Sequence, residues 1–151
     1  PDGLKRDIKA FYPSYSAALE SASEALFSVG NPAIIQDICE EAHATLGCGE
    51  MISGHSYTFH KDQLDKVPSL LRIYIGCATQ LYGDLENIQL IKAHIRSGKV
   101  SFMGYDSWNN PIPCLTERIK VKLREQDIDF FDYSENFQRH PLLNKVSFTF
   151  K

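Results

Sequence analysis

The sequence predicts an α+β domain, with three to five N-terminal helices packed on a C-terminal antiparallel sheet of about four to five strands. Two observations carry this reading. Apolar residues recur with a period near 3.6 up to about residue 82, then with a period of 2 from about residue 88. The chain's 151 residues, 43% hydrophobic and 23% charged, suit one globular domain (1–151) able to bury a core without staples. Helices first and strands second set one sheet face on the helices and leave the other in water. The helical half spans about 1–82 and the sheet half about 88–150.

Asp2 can cap a short helix that runs to about Phe11, and Pro13 ends it. In "SYSAALESASEALFSVG", Tyr15, Ala18, Leu19, Ala22, Leu26 and Phe27 keep helical spacing, with Gly30 as the stop. "NPAIIQDICEEAHATLG" carries Asn31 as N-cap, Pro32 at the first helical position and Gly47 beyond the end. Its buried stripe is Ile34, Ile35, Ile38 and Leu46. Residues 47–60 read as a glycine-rich loop in which "SYTFH" is a short extended piece. "HKDQLDKVP" reads as a helical turn stopped by Pro68. "PSLLRIYIGCATQLYGD" is the most apolar segment; Ile73–Ile75 would also suit a strand, but Leu70, Leu71, Tyr74, Cys77, Ala78 and Leu81 mark a core helix under the sheet.

Residues 88–96 and 99–106 predict a hairpin around Ser97-Gly98. "SWNNPIP" is a loop by composition. In "ERIKVKLREQDIDFFDY", Ile119, Val121 and Leu123 alternate with Arg118, Lys120, Lys122 and Arg124. A turn near Arg124–Gln126 and a return strand from Ile128 to Tyr133 complete a second hairpin, and "KVSFTF" is read as an edge strand. Leu71, Tyr74, Ile119, Val121 and Leu123 are expected to be buried together.

The net charge of −3 hides an uneven distribution. Residues 88–124 hold seven Lys/Arg against two Asp/Glu, whereas residues 1–87 hold six against twelve. Alternation sends Lys92, His94 and Arg96 to one side of the first hairpin, and Arg118, Lys120, Lys122 and Arg124 to the water side of the second. With Lys99 they form a candidate DNA-binding face, His94 gaining charge below about pH 6.5. The plainer reading is a solvated strand face whose lysines block edge-to-edge association. Tyr105, Trp108 and Asn109, in the adjoining loop, are candidate base contacts or a structural turn around a half-buried Trp.

Other chemistry is thinly represented. The sequence has no nucleophile elbow, P-loop or H-E-x-x-H, so no catalytic residue is assigned. Asp84, Glu86 and Lys92 only faintly suggest a nuclease-like spacing. Cys39, Cys48, Cys77 and Cys114 are scattered, which predicts reduced thiols and no metal site. No apolar run approaches the ~20 residues needed to span a bilayer, and the first residues lack a signal-peptide pattern. These features point to the cytoplasm, and the missing initiator Met points to a piece of a longer protein or a processed chain.

Several stretches in order, "LKRDIKAFYPSY", "LFSVGNPAII", "FHKDQLDKVPSLLRIYIGCATQLYGD", "IQLIKAHIRSGKVSFMGYD" and "LTERIKVKLREQDIDFFDY", resemble the C-terminal region of the DNA phosphorothioation-associated methyltransferase family. The likeness runs from about Leu4 to Lys145 and rests on the ordered series; no single motif in it is diagnostic. These bacterial proteins are encoded beside systems that replace a non-bridging phosphate oxygen of DNA with sulfur. Their upstream part resembles an S-adenosylmethionine-dependent methyltransferase with a glycine-rich cofactor motif. That motif is absent here. The resemblance implies membership of a DNA-modification protein with an upstream methyltransferase domain; with the basic strands it supports a non-catalytic accessory domain, without a cofactor of its own, that engages plain or phosphorothioated DNA. The alternative is a scaffold domain that docks a protein partner of the same modification or restriction system.

Overall fold

The computed structural model describes residues 31–134 and 140–149. The two helices expected before Asn31 lie outside the described residues. The first described element, α1 (Pro32–Leu46), starts where the Asn31 side chain accepts the Ala33 N–H at 3.1 Å. It ends at Gly47, whose left-handed φ of 69° lets its N–H return to the His43 carbonyl. Ile35, Ile38, Cys39, Ala42 and Leu46 face inward, whereas Ile34, expected in the stripe, is 36% exposed.

Among the described residues, six strands form one antiparallel sheet in sequence order: β1 (Glu50–Ile52), β2 (Ser56–His60), β3 (Leu90–His94), β4 (Lys99–Asp106), β5 (Cys114–Lys122) and β6 (Asp127–Asp132). The α+β class and the antiparallel sheet agree with the sequence reading. The strand count and the division into halves are corrected, because β1 and β2 come from the segment read mainly as loop. Between β2 and β3 the chain makes a 3-10 turn, Lys61–Lys66, and then α2 (Ser69–Tyr82). The His60 ring accepts the Asp62 N–H to cap that turn.

Leu71, Tyr74, Ile75 and Ala78 of α2 and the inner face of α1 cover one face of the sheet. That face supplies Tyr57, Phe59, Ile91, Ala93, Val100, Phe102, Ile119, Val121 and, just past β5, Leu123, all in one core cluster. The expected common burial of Leu71, Tyr74, Ile119, Val121 and Leu123 is therefore found. Leu81, expected in the core, is 38% exposed.

The opposite face is only partly wet. Leu90 and Met103 point outward and are sealed by Phe148, with Tyr105, Trp108, Leu115 and Leu142 packed around them. The cover is the C-terminal segment, whose Leu142 N–H bonds the Pro113 carbonyl and whose Gly49 partner, the Ser147 carbonyl, lies at 2.6 Å. Residues Lys145–Phe148 form a 3-10 turn in place of the expected edge strand. One turn suffices to drop Phe148 onto Leu90 and Met103.

Candidate nucleic-acid interface

Register fixes which cations share the open face. One row across the sheet reads Glu50, Thr58, Lys92, Ser101, Lys120 and Asp129; the next reads His60, Leu90, Met103, Arg118 and Phe131. Lys92 and Lys120 thus flank the buried Ser101, two strands and about 10 Å apart. Arg118 stands one row over on β5. The small side chains of Ser101 and Thr58 leave the lysines as the raised features of this part of the face.

Acids stand at the two ends of the first row, Glu50 and Asp129, with the lysines between them. The buried Nε of Arg118 has no hydrogen-bond partner among the described residues. Burial pulls the Lys92 ammonium below the ordinary lysine range, and the Arg118 charge lowers it further against an opposing pull from Glu50. Lys120 is lowered as well, by desolvation first and then by Arg118 and Lys99, against an opposing pull from Asp129. Lys122 differs. Its Nζ lies 2.9 Å from Asp129, and that hydrogen bond raises its pKa. Asp129 therefore occupies the cation at the hairpin end, as expected for an acidic strand beside a basic one.

The remaining predicted site residues disperse. Lys99 keeps the open face as the register partner of Lys122. Arg96 lies past the end of β3, its guanidinium 3.6 Å from where a Cβ on Gly54 would stand. Arg124 falls in the β5–β6 turn, where its charge reaches the Tyr74 phenol on the helix side. Tyr105 and Trp108 pack into the second apolar cluster, with ring centres 5.6 Å apart and His60 against the indole at 5.2 Å. Lys145 lies over the same indole and donates to the Trp108 and Asn110 carbonyls. Asn109 is exposed.

His94 departs from its expected role as a helper cation. Burial, followed by the charges of Lys92, Arg118, Lys120 and His55, lowers its pKa to about 3, and its Nε2 lies 2.9 Å from the Ser101 hydroxyl. The ring is neutral in the fold, so acidification opposes folding here. From pH 6.5 down to about 3 the unfolded chain takes up a proton at this position that the folded chain refuses. Stability should fall by up to about 1.4 kcal/mol per pH unit in that window, less because the ring keeps some contact with solvent. Urea midpoints at neutral pH and at pH ~5 check this: His94→Gln should flatten the acid loss. An unchanged loss would mean that the folded state protonates His94 readily.

All four cysteines are free thiols, and burial pushes Cys39 up to about 12. Among the described residues no group of three His, Cys, Asp or Glu could hold a metal ion. No described helix is long and apolar enough to cross a membrane. Phe131 was missed by the sequence reading. Its position, alternating with Asp129 and Asp127 on β6, is the signal that places it on the open face. Compared with family models, curated proteins and solved structures, the chain matches none.

Proposed function

We propose that this chain is a DNA-engaging accessory domain without chemistry of its own, which brings an upstream methyltransferase domain to DNA in the bacterial cytoplasm. The reading joins the resemblance to the phosphorothioation-associated family with one structural observation. Lys92, Arg118 and Lys120 converge on one open sheet face, where Glu50 acts on Lys92 and Asp129 on Lys120 but the Arg118 Nε has no hydrogen-bond partner among the described residues. Cations that repel one another in the fold are relieved by a polyanion, and a backbone of phosphates supplies one charge per contact. The proximity of Glu50 to Lys92 tempers this repulsion without removing it.

Binding of labelled DNA, plain and phosphorothioated, across a salt series tests the proposal. The logarithm of the affinity should fall linearly with log salt, by about 0.9 per phosphate neutralised on a duplex. Lys92→Met should weaken binding and reduce the slope by about one unit. Its melting temperature should hold or rise, because the desolvation and Arg118 repulsion at Lys92 disappear. That cost is present throughout the neutral range and is relieved only as the pH climbs toward the ordinary lysine value. A flat salt response, or no binding at low salt, would leave the docking of a protein partner as the better reading.

A further inference from the structure

We propose that the open face binds DNA as a single strand, with phosphates on Arg118 and Lys120 and an unpaired base in the cleft beside Phe131. The inference rests on the DNA reading above and narrows its substrate. An open cleft of about 570 Å³ lies at this end of β5 and β6, and Glu86, Asn87, Gln89, Tyr105, Glu117 and Phe131 are among its lining residues. That volume accommodates a nucleobase.

Arg118 does not line the cleft but stands beside a residue that does. Phe131 is its register partner, and its charge reaches the Tyr105 phenol on the cleft wall. Phe131 is 39% exposed, with Lys120 Nζ 5.8 Å from its ring centre. An exposed ring within reach of two backbone-binding cations is the pairing that holds unpaired nucleotides, since any base offers a face to stack.

Charge then sorts the parts of a nucleotide. The carboxylates that line the cleft, Glu86, Glu117 and Asp132, repel a phosphate, whereas a carboxylate accepts N–H groups from a base edge, as from cytosine N4. The phosphates are left to the cations outside. A duplex cannot use this arrangement, because its bases are stacked and paired and must be extruded at a cost. Same-face positions along β5 recur about every 6.7 Å. That spacing is comparable with the separation of successive phosphates along one extended strand, so Arg118 and Lys120 suit adjacent phosphates.

The test compares a labelled single-stranded oligonucleotide of mixed sequence with the duplex made by annealing its complement, at several salt concentrations. The single strand should bind more tightly. Phe131→Ala should weaken single-strand binding about tenfold, the loss of one base stack, while leaving the salt slope unchanged. Phe131→Leu, which keeps apolar bulk without a π-face, should show the same loss, and Phe131→Trp should retain affinity. Duplex preference, or single-strand binding that the Leu variant leaves intact, would overturn the inference while the DNA reading stands. Failure of the wild type to bind either form would sink both.

Discussion

Arg118→Glu combined with Lys120→Glu should remove DNA binding at ~150 mM salt, where the Debye length is about 8 Å. The two side chains neighbour each other on the open face of β5 and both lie near Lys92. Each substitution converts an attraction for phosphate into a repulsion, and the pair also neutralises the field of Lys92. Affinity should drop by roughly two orders of magnitude or more, with the salt slope reduced by about two units. Sequence alternation alone would have paired Lys120 with Lys122. The 2.9 Å contact from Lys122 to Asp129 moves the choice to Arg118. Lys122→Gln should accordingly weaken binding less than Lys120→Gln does. Circular dichroism controls for folding, because Arg118 is half-buried. A folded double variant that binds DNA like the wild type at low salt would make the basic face a solubility device.

The parts legible in the sequence are those where one local rule decides. Asn31, Pro32 and Gly47 bound α1 because caps and left-handed glycine act within a single turn. Ile119, Val121 and Leu123 reveal β5 because only one face of that stretch is buried. β2 lacks such a signature. Ser56, Tyr57, Thr58 and Phe59 are all buried, since the strand lies inside the sheet with helices beneath it and polar side chains tucked between neighbours above. A strand buried on both faces loses its alternation. The edge strand read into "KVSFTF" failed for a related reason. An apolar residue every second position fits a strand, but Phe148 is recruited by Leu90 and Met103, which long-range register brings together. At the site, alternation grouped Lys92, Lys120 and Arg118 correctly. It could not show that Asp129 neutralises Lys122, or that burial among cations keeps His94 neutral. Those are consequences of distance and desolvation, which a strand pattern does not encode.

The opposite face should respond to a single truncation with the largest loss of stability. Phe102 is fully buried on β4, with Ile91 and Ile119 as its register partners on either side. Its ring stacks on Tyr82 at the end of α2, with centroids 5.6 Å apart and planes 24° from parallel. It therefore ties the middle of the sheet to a helix. Phe102→Ala removes most of the ring's burial and leaves a cavity that three rigid neighbours cannot fill, which costs about 3–5 kcal/mol. Against a total of roughly 5–15 kcal/mol for a domain of this kind, that is a large share. The urea midpoint should fall accordingly, with the slope of the unfolding free energy unchanged if the native state keeps its shape. Phe102→Leu should cost less, because it refills part of the volume. Lys120→Gln, one strand away but facing the other side, should leave the midpoint nearly where it was. A Phe102→Ala loss below about 1 kcal/mol would mean that the helices do not cover this face. The assignment of the cations to the open face would fall with it, since both follow from the same alternation.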